Sequence, residues 1–267
     1  MKISILLPYK ENFSPEYSGA VSIFVKDTTV CSKFKNNITI FGNTEYKKIL
    51  LNNYVNLKIK KDLFQSNTKK YIDKYLFIEK KNKSDIIEIH NRPSYLNIIY
   101  KNSNAKIVLY FHNDPLSMSG SRTVIERINL LNKSQKIIFN SEWTKKRFLN
   151  QLSKFYTKSE KLEVINQCTN KIKINLNIKK NIITFVGKLN SAKGYDIFCK
   201  SIVKILNNYP EWKAIVIGDE PREKISVKHK NLNLLGFQSH NKVLQLFNKA
   251  SIAVTCSRWE EPFGRTS

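Results

Sequence analysis

The sequence predicts an α/β protein built from parallel sheets with helices on both faces, and three observations predict it. Short apolar runs of strand length alternate with longer helix-like stretches along almost the whole chain. Glycine and polar residues follow these runs, as Gly187 follows Ile182 to Val186 and Gly218 follows Ala214 to Ile217. The chain has 267 residues and is 41% apolar, enough to bury a core in each of two domains of ordinary size.

The first run, Lys2 to Leu7, is too short for the apolar region of a signal peptide and reads as a strand. Ile38 to Phe41, Ile86 to Ile89, Lys106 to Phe111, Lys136 to Phe139 and Leu162 to Ile165 are expected to be strands as well. Helices are expected between them at Gly19 to Phe34, Thr68 to Lys81, Pro93 to Tyr100, Ser121 to Leu131 and Glu142 to Leu152. Together they make one doubly wound domain over residues 1–170. From Lys171 to Lys180 polar and apolar residues alternate without turn residues, so 171–181 reads as the interdomain connection.

A second domain is expected over 182–267, with strands at Ile182 to Val186, Ala214 to Ile217, Leu232 to Leu235 and Ile252 to Val254. Its helices are expected at Tyr195 to Leu206 and Asn241 to Asn248. The run Ser251 to Val254, bounded by polar residues, reads as a buried parallel strand whose C-terminal end faces a ligand crevice. Four strands are fewer than the ~5 to 6 of a typical sheet, so this domain is expected to be incomplete.

Composition excludes several classes. No stretch reaches the ~18 to 20 uninterrupted apolar residues that a membrane span requires. Cys31, Cys168, Cys199 and Cys256 stand singly, with no C-x-x-C, which suggests neither a disulfide framework nor a zinc knuckle and fits a reducing cytoplasm. The net charge is +25, from 46 Lys and Arg against 21 Asp and Glu. Two readings of that charge stand side by side: an AT-rich coding bias toward lysine, asparagine and isoleucine, or attraction to an anionic lipid surface. Nucleic acid is not expected, because the aromatic and arginine motifs of RNA-binding sheets are missing.

The chemistry gathers at strand ends. Phe185 to Gly194 places Gly187 at the end of a strand, Lys188 and Lys193 in the following loop, and Gly194 at the entry of a helix. Such a loop suits a diphosphate: glycine lets backbone approach, helix N–H groups are unpaired, and two lysines neutralise charge as a nucleoside diphosphate leaves. A surface loop of a lysine-rich protein has the same composition. Glu261-Pro262-Phe263-Gly264, in a second strand-end loop, favours the ligand reading, since a carboxylate there grips hydroxyls. Asp219 and Glu220 follow Gly218 at a third strand end.

With these motifs in order, the C-terminal half resembles the donor domain of retaining glycosyltransferases of family four, whose fold is the two-domain, Rossmann-like GT-B. The resemblance is carried by Gly187 to Gly194, Ile215 to Asp219, Leu235-Gly236-Phe237 and Trp259 to Gly264. It implies that Glu261 engages sugar hydroxyls, and that Phe263, Gly264, Arg265 and Thr266 line sugar and diphosphate through backbone N–H groups. The family's second glutamate would fall at position 269, two places past Ser267, so the chain reads as a C-terminally truncated member. Lys188 stands where the family commonly has arginine, which keeps the charge and loses the bidentate fork.

The resemblance extends to the N-terminal half. Gly19, after the first strand, is expected to let a loop close over the donor diphosphate, where the family often has two glycines. His112 stands where the family places a sugar-contacting histidine, although a hydrogen-bonded structural histidine is the other reading. His90 and Arg92 end a neighbouring strand and are expected either to meet an acceptor hydroxyl or phosphate, or to serve helix entry with Pro93 in the first turn.

The expected activity is transfer of a hexose-type sugar from a nucleoside diphosphate to a glycan or lipid-linked acceptor. Retention is implied, with the leaving phosphate as base, in the synthesis of cell-surface polysaccharide or lipopolysaccharide. Glu261 and His112 are the expected catalytic pair. No metal or other cofactor is expected, because Asp-x-Asp is missing; the lack of G-x-G-x-x-G argues against a dehydrogenase. The alternative is a noncatalytic sugar-nucleotide or glycan-binding fragment. Expected localisation is cytoplasmic, with peripheral contact to the inner membrane face.

Overall fold

Ile3–Leu6 forms β1, and its apolar side chains serve both faces of a sheet in turn: Ile5 packs to one side and Leu6 to the other. This alternation is repeated along the first unit of a computed structural model that describes residues 1–59, 65–167 and 173–264. The chain divides into two compact units, Met1–Thr169 and Asn170–Ser267.

In the first unit the order after β1 is α1 (Ala20–Cys31), β2 (Ile38–Gly42), β3 (Tyr54–Asn56), α2 (Asn67–Lys81), β4 (Ile86–His90), α3 (Leu96–Asn102) and β5 (Lys106–Phe111). It continues with α4 (Val124–Lys133), β6 (Lys136–Phe139), α5 (Glu142–Leu149), α6 (Lys154–Thr157) and β7 (Leu162–Val164). The sheet has seven strands in the order β3-β2-β1-β4-β5-β6-β7, all parallel. Strand order reverses at β1 and β4, the location where open α/β sheets hold ligands at their C-terminal edge.

Two apolar layers cover this sheet. Val21, Phe24 and Val25 of α1 pack with Ile5, Ile40 and Tyr110 on one face. Tyr71 and Tyr75 of α2, Leu96 and Ile99 of α3, Leu130 of α4 and Phe148 of α5 cover Ile87, Ile89, Leu109, Phe111 and Phe139 on the other. Helix starts follow their caps. Thr123 and Glu126 form a capping box that begins α4 at Val124, three residues after the expected start at Ser121. The region expected as one helix over Glu142 to Leu152 ends at Leu149, because Asn150 leaves the helical region with ψ 124° and Gln151 then adopts φ +62°, before α6 begins separately. β3 was not foreseen: three residues at a sheet edge are too short to show a period.

In the second unit β8 (Lys180–Val186), α7 (Tyr195–Asn208), β9 (Lys213–Ile217), β10 (Leu232–Leu234), α8 (His240–Lys249) and β11 (Ala250–Val254) form a parallel sheet ordered β10-β9-β8-β11. Phe198 and Ile202 of α7 pack on Phe185 and Val216. β8 starts at Lys180, inside the stretch expected as connection, and Leu176–Ile178 form a 3-10 turn before it. Positions 171 and 172, like Cys168, lie outside the described residues. β11 is parallel as expected but not buried: it is the edge strand, and Ile252 is 43% exposed.

Arg127 is 1% exposed and donates to the carbonyls of Ser121, Arg122 and Asn150, tying α4 to the end of α5. Replacing it with Met removes those three donors, one of them from the fully buried carbonyl of Ser121. Arg127→Met is expected to lower unfolding free energy by about 2 to 4 kcal/mol in urea titration, and a change under about 0.5 kcal/mol would show that the bridge is dispensable.

Candidate functional site

In the second unit, the loops after β8 and β11 leave adjacent strands, with Phe185 beside Val254 in register. This is where the strand order of that sheet reverses. Three glycines shape the loops. A Cβ on Gly218 would lie 1.8 Å from the Gly187 carbonyl oxygen, and one on Gly194 would lie 1.9 Å from that of Cys256. Both have left-handed φ, +133° and +71°. Gly187 differs, because a Cβ there would meet nothing within 4 Å. Its approach face is open.

Polar contacts lock the loops together. Asn190 accepts from the Lys193 N–H at 3.0 Å, and Glu223 accepts from both the N–H and hydroxyl of Ser191, at 2.9 and 2.7 Å. Arg258 grips Asp196 with two bonds of 2.7 and 2.8 Å, while the N–H groups of Arg258 and Trp259 donate to the Ala192 carbonyl. Lys193 Nζ meets Glu261 Oε1 directly. The residues expected to hold opposite ends of a ligand are therefore neighbours, and each neutralises the other.

Lys188 is exposed at the start of the same loop. Glu220 is held down to about 2, first by its hydrogen bonds from Arg222 and also by the Lys188 charge. Its carboxylate is thus engaged by Arg222 at 2.6 and 2.8 Å, a pairing that sequence reading did not anticipate. Phe263 and Gly264 are half-buried beside buried Pro262. Arg265 and Thr266 lie outside the described residues.

In the first unit Gly19 caps α1, but the space beside it is taken. A Cβ on Gly19 would lie 2.3 Å from Glu11 Oε1, and that carboxylate accepts from the Ser22 N–H at 2.9 Å. The glycine expected to admit a diphosphate therefore already accommodates a protein carboxylate at the helix N-terminus. Arg92 lies within electrostatic reach of Glu11, and one of its nitrogens donates to the Asn91 carbonyl at 2.7 Å.

His112 follows β5 and is 6% exposed; His90 ends β4 and is fully buried. Their rings stack with Tyr110 and pack against Phe24. His90 Nδ1 lies 2.8 Å from His112 Nε2, His90 Nε2 lies 2.6 Å from Glu88 Oε1, and Gln167 Nε2 lies 2.5 Å from His112 Nδ1. The expectation of an acceptor-facing His90 is corrected: the ring has no exposed surface, and both its nitrogens face protein. Asn91 takes φ +54° and accepts from the N–H groups of His112 and Asn113, holding the ends of β4 and β5 side by side.

Glu88, Asn91, Glu11 and Gln167 escaped sequence reading. A signal existed for the first two: a carboxylate inside the apolar run Ile-Glu-Ile-His, and an asparagine, which tolerates left-handed backbone, just past the strand. Among the described residues no group of three or more His, Cys, Asp or Glu is arranged to hold a metal ion. Among them, too, no helix is long and apolar enough to cross a membrane.

Residues 166–267 match the sequence model of the family described as glycosyl transferases group 1. YtcC of Bacillus subtilis (strain 168) is 24% identical over 228 residues, which are 68% of this chain and 52% of YtcC, so the chain spans about half the length of that relative. The solved structure of Anabaena HepE in complex with UDP and glucose superposes with a TM-score of 0.66 at 15% identity, covering 99% of this chain and 76% of HepE. The apo lipopolysaccharide outer core galactosyltransferase WaaB gives 0.60 at 16%, covering 100% and 76%. At such identities the likeness is one of fold, and it is the GT-B fold with its Rossmann-like units.

Burial raises the Glu11 carboxyl above its ordinary 4.5. The native state then binds more protons than the unfolded one in the window upward from 4.5, so this stabilising contribution is whole below that value and is lost as pH rises through the native one. Glu11→Gln, which keeps an oxygen for the Ser22 N–H, is expected to flatten the loss of stability between pH 4.5 and neutrality in urea unfolding. An unaltered slope would assign that loss to other groups.

Proposed function

We propose that this protein is a glycosyltransferase that moves a hexose-type sugar from a nucleoside diphosphate to a hydroxyl of a glycan or lipid-linked acceptor. The observation that carries the reading is the Lys193–Glu261 contact between the loops after β8 and β11, the adjacent strands at which the strand order reverses. A cation and a carboxylate that pair in the free protein become available together when a ligand brings an anion to one and hydroxyls to the other. The UDP and glucose held by HepE support a donor of this chemistry.

In this reading Lys188 and Lys193 stabilise charge developing on the departing diphosphate, and no metal is required for that task. Glu261 orients the sugar; Phe263, Gly264, Arg265 and Thr266 complete its surroundings. Gly187 admits the phosphate backbone-side, and His112 is proposed to contact sugar or acceptor. Arg92 is proposed as the acceptor-side charge, with His90 behind it. Departure and attack on one sugar face give retention, with the leaving phosphate as base.

The likeness to WaaB supports a role in cell-surface polysaccharide or lipopolysaccharide synthesis, and the +25 charge supports peripheral attachment to anionic lipid at the cytoplasmic face. Isothermal titration with UDP tests the site. Lys193→Ala is expected to weaken UDP about tenfold or more, the scale of one charge-assisted bond, whereas Glu261→Gln should spare UDP and weaken UDP-glucose. Equal UDP affinity in Lys193→Ala and the unaltered chain would remove the lysine from the site.

A further inference from the structure

α2, α3 and α4 lie side by side on one face of the first unit's sheet, with α3 touching both neighbours. Their buried residues face the strands, so the far side of each helix is turned to solvent. On α2 the buried positions are Tyr71, Ile72, Tyr75, Leu76 and Glu79. Phe77 stands on the opposite side of that helix and is 61% exposed, and the exposed Lys74 and Lys81 share its side, three residues before and four after it. On α4, Leu130 and Leu131 are buried while Ile125 is 80% exposed. Ile98 and Tyr100 of α3 are exposed as well.

Lysines accompany these apolar groups. Lys81 Nζ lies 4.4 Å from the centroid of the Phe77 ring, and Lys133 Nζ lies 5.5 Å from that of Tyr100. Lys133 and Asn129 also donate to Asn97 at 2.8 and 2.7 Å, which fixes α4 against α3. The three helices carry seven lysines, five on α2 and one on each of the others. With the buried Glu79 and Arg127 set aside, the acids of these helices are Asp73 and Glu126, and the Glu126 carboxylate already accepts the Thr123 N–H of the capping box.

We propose that this helical face of the first unit docks on an anionic lipid surface, with Phe77 and Ile125 entering the headgroup layer and the lysines meeting lipid phosphates. Charge and apolarity select the occupant together. Lysines alone suit any polyanion, whereas large apolar side chains standing out among them gain free energy where an apolar layer underlies a charged one. A lysine stem laid over a ring keeps its ammonium at the level of the phosphates, which is the arrangement of Lys81 on Phe77. The proposal rests on the peripheral attachment inferred above and gives it a place on the molecule; the sugar nucleotide has no part in it.

Co-sedimentation of the whole chain with vesicles is the test. Vesicles of phosphatidylcholine and phosphatidylglycerol in equal parts are expected to carry the protein down, and phosphatidylcholine alone to leave it in solution. Phe77→Ser combined with Ile125→Ser should weaken binding about tenfold, and Lys74→Gln combined with Lys81→Gln about thirtyfold, the scale of two lysines at a charged surface. Val30→Ser removes an exposed apolar side chain from α1, the helix on the other face of the sheet, and should bind as the unaltered chain does. If the first two variants bind no more weakly than Val30→Ser, the face is wrong and the attachment stands. If the unaltered chain stays in solution with the anionic vesicles, both are overturned. Self-association that disappears in the Phe77 and Ile125 variant, without vesicle binding, would assign the face to a second copy instead. Because no step needs a nucleotide, a failure of the transferase reading is told apart from each of these results.

Discussion

Parallel pairing is the constraint on which everything else depends. Because every strand of both sheets runs alongside its neighbours in the same direction, all strand C-terminal ends of a sheet lie at one edge. The loops that follow β1, β4 and β5 therefore meet, as do those after β8, β9 and β11. Residues far apart in the chain, such as Lys193 and Glu261, become contacts without any long excursion of the backbone. Gly187 follows β8, one of the two strands at the reversal of strand order in the second unit, and a Cβ there would meet nothing within 4 Å.

The loops of the second unit are held by one another more than by an apolar core. Glycine at 194 and 218 is demanded by backbone oxygens less than 2 Å from where a Cβ would be, and Asn190, Ser191 and Arg258 bind the loops in place through hydrogen bonds. Many of these bonds are partly exposed, so each contributes little to stability. Their effect is geometric: they hold the loops that carry Lys193 and Glu261 so that the two side chains meet. The first unit uses a different device, a buried line of hydrogen bonds in a low-dielectric setting, where an unmade bond is costly and orientation is correspondingly strict.

Much of this was legible in residue order. The apolar runs located ten of the eleven strands among the described residues, since a parallel strand covered on both faces must be apolar for most of its length. Gly187, Lys188, Lys193 and Glu261 stood out because a diphosphate and a sugar call for those residue types at strand ends. β3 did not, because three residues carry no measurable period; nor did the exposure of β11, which depends on which strand lies at the sheet's edge. The split after α5 came from the turn at Asn150 and Gln151, with ψ 124° and φ +62°, backbone states that no side-chain pattern announces.

By itself the sequence determined the fold class, the alternation of elements, and the chemical types gathered at the strand ends, because periodicity and turn chemistry are local properties that a linear chain carries openly. Only the tertiary structure decided which groups face each other: Glu11 against Gly19 and the start of α1, Gln167 against His112, Arg222 over Glu220. The reason is physical. A side chain's partner and exposure are set by distances in space, whether the residues are two apart in the chain, as Arg222 and Glu220 are, or 55, as Gln167 and His112 are, and those distances exist only once the chain has folded.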